Sequence, residues 1–350
     1  MSFTAEELGN IANAALDFFM KGDALSQAIQ EKPLLNALKS NQKTFPGGKD
    51  DIRGNVKGDY TTAFAGYSGD DTVTYKNPAN IRQFDYPWKE LHSGIVITNT
   101  ELKKDGISVV DTTTGKNTSQ HSKREMTAIT NLLDDKLEDM AEGSTRSFNN
   151  ILHGDGTQSS KVFAGLQHVI ADAPSTGVLA GIDRAANSWW RNRELTAAGT
   201  GAITHSTTNQ TLTRTLRKEV RQLKRYGGKP SLVIAGSGFL EKLEAEIHEK
   251  GTMTDSGFTN NGATDIGLAD VSMRGVGRFI YDPTLDDLGR DNYCYFIDPR
   301  HLFLMVMEGE DMKTHAPARP ADQYVLYRAM TWTGGLVNRK PNAHGVYQAA

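Results

Sequence analysis

The sequence holds a single cysteine, Cys294, in 350 residues. An intramolecular disulfide is therefore excluded, and so is a multi-cysteine zinc cluster. An excess of charge of one sign is also missing. Lysines and arginines number 39 against 42 aspartates and glutamates, a formal net charge of −3. The overall balance thus points to neither a nucleic-acid binder nor a basic membrane protein. No apolar run reaches the roughly eighteen residues of a membrane span. The start, MSFTAEELGNIANAAL, is acidic and amphipathic, without the cationic start and apolar core of a signal peptide. With one thiol, this reads as a protein made and used in the cytosol. There is no internal repeat, coiled coil or low-complexity tract. What remains is 38% hydrophobic and 23% charged, the composition of a globular chain with one large or two ordinary domains.

Catalytic signatures are missing as well. The chain has no GxSxG elbow and no Walker GxxxxGK[ST]; Gly227-Gly228-Lys229 lacks both the upstream glycine and the hydroxyl residue. The histidines (92, 121, 153, 168, 205, 248, 301, 315 and 344) show neither HxxxH nor HExxH spacing, so no metal site is expected. Cys294 lies in the alternating stretch YCYFID, the setting of a buried structural thiol. The sharpest lookalike is VIAGSGFLE, a strand, Gly236-x-Gly238 and a helix. A dinucleotide fingerprint needs a third glycine where this chain has Glu241, so a plain strand-to-helix turn is the stronger reading. The basic face of the 211–226 helix (Arg214, Arg217, Lys218, Arg221, Lys224, Arg225) has no interleaved aromatics and reads as solvated. Trp189-Trp190 is either an aromatic anchor or core packing. No enzyme, no cofactor and no metal are expected.

The present features are mostly structural. SKREMTAITNLLDDKLEDMAEGSTRSFNNIL, residues 122–152, predicts a helix about 45 Å long. Met126, Ile129, Leu133, Leu137, Met140, Phe148 and Ile151 form one apolar stripe. Asp134, Asp135, Glu138, Asp139 and Glu142 lie on the opposite side. Before it, residues 4–20 predict an amphipathic helix, and a second begins near Asp23 and is interrupted or restarted at Pro33. Residues 52–102 predict two long strands joined by a polar turn region, AGYSGDDTVTYKNPAN, with too little apolar alternation for a core of its own. Residues 103–121 read as a loop, and a Thr/Gly/Ser-rich linker follows the Trp-Trp pair. A helix at 211–226 with Leu212, Leu216, Val220 and Leu223 inward, the strand SLVIA and a helix over 239–249 form an α+β unit. The 250–276 stretch is a long Gly-rich loop of the kind that is usually functional or interface-bound. GRFIYDP, YCYFID and HLFLMVME predict strands, and the C-terminal stretch predicts two more around Gly334-Gly335.

The order of these parts resembles the major capsid protein of tailed bacteriophages, with the HK97-like fold. Five stretches carry the likeness. Lys32-Pro33-Leu34-Leu35 with FPGGKDDIRG is similar to that family's arm and the approach to its extended loop. Tyr86-Pro87-Trp88 before SGIVITNTEL resembles the loop's return strand. Gly154-Asp155-Gly156-Thr157 followed by Ala164-Gly165-Leu166 resembles the step out of the spine helix. GKPSLVIAGSGFLEKLE resembles the axial-domain strand and helix, and LVNRKPNAHGVY the last peripheral-domain strand.

The resemblance implies an α+β chain in four parts. These are an N-terminal arm (1–51), an extended β-hairpin loop (52–102), a peripheral domain with the spine helix (103–160 and 319–350), and an axial domain (161–318). It implies a structural subunit that closes into pentamers and hexamers, forming an icosahedral head around double-stranded DNA in the virion after assembly in the host cytoplasm. Inter-subunit contacts fall at Tyr67, Asp70, Asp71, Tyr75 and Lys76 of the loop tip and at Phe258, Asn260 and Asn261 near the capsomer axis. Implied partners are further copies of the chain, a scaffolding protein, a portal, a decoration protein and non-specifically held DNA, with no membrane. The arm begins almost at Met1, so assembly guidance is expected from a separate scaffolding protein, or the residues are a processed form. The alternatives are an encapsulin-like shell and, in a different class, a nucleotide-binding enzyme around Val233–Glu241.

Overall fold

Leu232–Ala235 is a strand whose four side chains are all buried. An unbroken apolar run of this kind suits a strand covered on both faces. In the computed structural model it lies inside a six-stranded mixed sheet. The spatial order is Ser272–Met273, Gly277–Tyr281, Leu232–Ala235, Tyr293–Ile297, Gly345–Gln348, Arg193–Leu195. Val233 faces Phe279 across a parallel pairing and Phe296 across an antiparallel one. Period-two alternation sends Val233, Ala235, Cys294, Phe296 and Tyr347 into one core with Leu212, Leu216, Val220 and Leu223 of helix Thr211–Arg225, and with Phe239 and Leu243 of helix Ser237–Glu249. Helix Pro33–Ser40, with Leu34, Leu35 and Leu38 buried, also packs on this strand. Its proline occupies the first turn, where no amide donor is lost, so Pro33 starts this helix and does not interrupt it.

The structure describes residues 2–4, 31–48, 50–60, 62–75, 77, 80–98, 100–101, 108–110, 123–249, 272–273, 277–315 and 325–350. The chain forms two compact units. One comprises Met1–Glu31, Lys89–Asn150 and Val306–Gly334; the other, which holds the sheet above, comprises Lys32–Trp88, Ile151–Met305 and Gly335–Ala350. The expected loop 250–276 lies outside the described residues except for Ser272–Met273, which is strand and not loop. The helices at 4–20 and near Asp23 lie outside the described residues, apart from the chain start. There Ser2–Thr4 pairs in parallel with Ser108–Val110, so part of the expected 103–121 loop is strand.

In the first unit, Val325–Gly334 pairs antiparallel with Lys89–Thr98 over ten residues in continuous register. Helix Lys123–His153 runs 31 residues, as the apolar stripe predicts. Its Phe148 meets Trp332 edge-on at 4.9 Å. Its Lys136 donates to the Val96 carbonyl at 3.2 Å and to Glu101 at 2.9 Å. Met140 and Phe148 are buried and Asp139 is exposed. At its C-terminal end the stripe differs from expectation: Leu152 is fully buried and Ile151 only half-buried. The side chains of Met126, Ile129, Leu133 and Leu137 lie outside the described residues.

Two further expectations are corrected. The C-terminal stretch does not form two strands around Gly334-Gly335, because Val325–Asn338 is one strand running through both glycines. A Cβ at Gly335 would approach the Pro87 carbonyl at 3.3 Å, so glycine serves close backbone approach here and not a turn. The expected linker after the Trp-Trp pair is not a linker either. Arg193–Leu195 forms the sheet edge, and Ile203 bridges to Ala349. Polar side chains hold this segment, Asn192 to both backbone groups of Ala171 and Thr196 to the Asp172 carbonyl. Hydrophobic periodicity does not register such bonds.

Helix Thr211–Arg225 has no capping side chain of its own. The buried Glu246 carboxylate supplies one, accepting from the Leu212 and Thr213 amides at 2.9 Å each and from the Thr213 hydroxyl at 3.0 Å. Glu246→Ala is expected to leave the buried Leu212 amide and the part-buried Thr213 amide without this acceptor and to destabilise the fold by about 2 kcal/mol. A urea titration followed by circular dichroism measures this. A loss under 0.5 kcal/mol would mean that the helix start does not depend on this carboxylate.

Candidate functional site

The lookalike VIAGSGFLE resolves into packing. A Cβ at Gly236 would sit 2.4 Å from the Asp291 carbonyl oxygen, and one at Gly238 2.8 Å from Asn292 Oδ1. Gly236 therefore admits the Asp291 backbone, and Gly238 the side chains of Asp291 and Asn292. The helix N-terminus that would bind a phosphate is already engaged. Asp286 accepts from the Ser237 amide and the Asp291 carbonyl from the Phe239 amide, both at 3.0 Å. These partners also start the helix at Ser237, two residues before the expected position. Cys294 is fully buried, and burial pushes its thiol well above the usual range, so it is not a nucleophile at neutral pH. The six basic residues of the 211–225 helix are all exposed, while Glu219 on its inner side accepts from Nε and Nη2 of Arg193 at 2.9 Å each.

The hairpin is different. Asp51–Lys57 and Ile81–Pro87 pair antiparallel without a break, from Asp51 opposite Pro87 to Lys57 opposite Ile81. Its base has a core: Ile52, Phe84 and Tyr86 are buried, and Phe84 stacks on Trp190 at 6.3 Å. Tyr86 donates to the Asn338 carbonyl at 3.0 Å, and burial drives its hydroxyl pKa upward. Gly54 is required there, since a Cβ would lie 2.4 Å from the Phe84 ring. Trp190 is core, its indole donating to the Leu179 carbonyl at 3.0 Å, whereas Trp189 is half-buried.

Among the described residues, pairing stops beyond the Gly58 amide, which donates to the Asn80 carbonyl at 2.7 Å. Among the described residues the tip keeps one turn, with the Asp71 amide donating to Ser68 and the Asp71 carboxylate accepting from the Ser68 amide, both at 2.8 Å. Tyr60, Phe64, Tyr67, Val73, Tyr75 and Ile81 stand in solvent. Phe64 is fully exposed, Tyr75 93% and Tyr67 75%. Covering side chains of this size is favourable by about 1.5–3 kcal/mol each. A concentration of them on one coreless segment marks a contact surface.

Of the residues expected to make contacts, Tyr67, Asp70, Asp71 and Tyr75 thus lie together on the exposed tip. Lys76, Phe258, Asn260 and Asn261 lie outside the described residues. Sequence reading missed a cleft of about 630 Å³ at the hairpin base, lined by Lys57, Trp189, Arg300, His301, Arg339 and Lys340 among others. The Arg339-Lys340-Pro341 run and the Trp-Trp pair were its only signals, and they stand 150 residues apart. Among the described residues no helix is long and apolar enough to cross a membrane.

No protein-family model and no curated protein matches the chain. Solved structures do. The cyanophage A-1(L) capsid asymmetric unit aligns with a TM-score of 0.67 at 13% identity, covering 91% of this chain and 93% of that one. The capsid of a native GTA particle aligns at 0.52 and 12%, over 92% and 91%. The mature capsid of bacteriophage PhiM1 aligns at 0.51 and 9%, over 89% and 86%. The chain has the α+β, HK97-like capsid fold.

Proposed function

We propose that this chain, built on the HK97-like fold, is the structural subunit of a tailed-phage head. Copies assemble into pentamers and hexamers, and these close into an icosahedral shell that encloses double-stranded DNA. The observation that carries this reading is the hairpin tip. Five large apolar side chains, Tyr60, Phe64, Tyr67, Val73 and Tyr75, stand uncovered on a segment that has no core of its own among the described residues, and a neighbouring subunit supplies the missing cover. The occupied helix start at Ser237 and the inert Cys294 speak against a nucleotide-dependent enzyme in the 233–241 region. A scaffolding protein and a portal are the proposed assembly partners, with a decoration protein on the finished head. Assembly takes place in the host cytoplasm and the product is the virion. DNA is held by non-specific contact, consistent with the chain's near-neutral charge.

Electron microscopy of the expressed protein, alone and with its scaffolding partner, tests this. Closed shells or capsomer rings are expected, whereas a persistently small species that binds nucleotide at micromolar concentration would refute it. Shells that hold a protein cargo and no DNA would make the chain an encapsulin-like compartment. Deleting residues 66–80 should leave a folded monomer by circular dichroism and abolish shell closure. Shells of normal stability from the deletion variant would show that the tip is not an intersubunit arm.

A further inference from the structure

The cleft at the hairpin base has a chemistry that the fold does not use. Its lining carries four cations, Lys57, Arg300, Arg339 and Lys340, and no carboxylate. Only Arg300 is neutralised, by the buried Asp298 beside it. Among the described residues, Lys57, Arg339 and Lys340 form no ion pair with a carboxylate. Burial, together with the positive charges of Lys340, Arg300 and Lys43 and against that of Asp298, depresses the His301 imidazole, as a basic field requires. The half-buried Trp189 adds an aromatic face.

The tip has the complementary chemistry. Residues 58–80 contain Asp59, Asp70 and Asp71 against the single Lys76, and their aromatic side chains are Tyr60, Phe64, Tyr67 and Tyr75. Asp71 is engaged in its own turn, and Asp70 beside it is exposed. The exposure of Phe64 and Tyr75 means that the tip does not fill the cleft of its own chain. About eleven residues on each side of the tip give it a reach of roughly 35 Å at 3.3 Å per residue, enough to meet another molecule.

We propose that the cleft formed by Lys57, Trp189, Arg339 and Lys340 in one subunit receives the acidic, aromatic turn Tyr67–Tyr75 of a second copy. This rests on the reading of the chain as a self-assembling shell subunit, and names the surface that the tip engages. Opposite charges steer the encounter and fix the register, and the aromatics are covered on docking. The cleft has the volume of a pocket for a few side chains. A duplex would meet only its rim, which makes DNA the less fitting occupant.

Charge exchange provides the test. Lys340→Glu and Asp70→Lys, each alone, are expected to cut the yield of closed shells at least tenfold in sedimentation and electron microscopy, with the monomer's melting temperature unchanged. Combined in one chain, they should restore the yield to within threefold of wild type. Lys57→Glu serves as a second cleft variant if Lys340→Glu fails to fold. The proposal is overturned if a folded cleft variant assembles at wild-type yield, or if the double variant does no better than the singles. Cleft variants that assemble normally and package less DNA would overturn it too, identifying a nucleic-acid contact. A wild-type chain that forms no shells, or a 66–80 deletion that still forms them, would instead sink the assembly reading itself.

Discussion

Gly165→Ala is expected to destabilise the fold by about 3 kcal/mol or more, toward the upper end of what one added methyl group does in a packed interior. The backbone at Gly165 has φ −91° and ψ −158°, open to any residue, so the argument is steric and not conformational. A Cβ there would lie 2.4 Å from the Ile151 carbonyl oxygen and 2.6 Å from those of Leu152 and Gly154. All three are main-chain atoms in the last turn of the long helix and its exit. They have no rotamer with which to move away, and shifting them would disturb the turn in which Asp155 accepts from the Thr157 amide at 2.9 Å. Gly143, on the exposed side of the same helix, is the control, since nothing lies within 4 Å of its Cβ position. Gly143→Ala should stabilise by about 0.5–1 kcal/mol through helix propensity. Denaturant unfolding of the two variants decides the matter. Equal effects at the two sites would mean that Gly165 is retained for something other than this close approach.

Between pH 7.5 and 4.5, removing His344 should flatten the stability profile by about 3 kcal/mol. His344 is fully buried; its Nδ1 accepts from the Asp298 amide at 3.1 Å. Burial, with His301 adding and Asp298 opposing, pushes its imidazole down to about 3. A histidine in the unfolded chain titrates near 6.5. Below that pH the unfolded state takes up a proton that the folded state refuses until about pH 3. The stabilisation is therefore complete above pH 6.5 and falls by about 1.4 kcal/mol per pH unit between these limits. His168 and His301 are depressed in the same direction by burial, so the wild-type slope exceeds that of one group. The difference between wild type and His344→Gln isolates the single contribution. Asp298, which burial opposes but the Arg300 guanidinium and the Lys229 amide hold at about 2, loses its stabilisation only in the carboxylate range below about 4. Chemical denaturation at pH 7.5, 6.0 and 4.5 is the measurement, and parallel profiles for the two proteins would show that His344 accepts a proton in the folded state.

Where one physical signal dominated, the sequence was readable. The stripe at spacings of three and four located the long helix, and four apolar residues in a row located the buried strand at 232–235. The missing alternation in 66–80 identified a segment that cannot bury itself, and the exposure of Tyr67 and Tyr75 agrees. Failures came where polar bonds or backbone approach did the organising. Asn192, Thr196 and Glu194 hold the segment mistaken for a linker, and Gly335 continues a strand where a turn was expected.

By itself, then, the sequence determined the class of element at most positions, the inertness of its lone cysteine and the presence of an uncovered tip, because each depends on local periodicity or composition. Only the tertiary structure decided that Gly236 and Gly238 admit the backbone of Asp291 and the side chains of Asp291 and Asn292, and not a phosphate. It alone set Glu246 on a helix 34 residues away, and it gathered Lys57, Trp189, Arg300 and Lys340 around one cleft. Those facts depend on which distant segments meet, and sheet pairing between strands far apart in the chain fixes that.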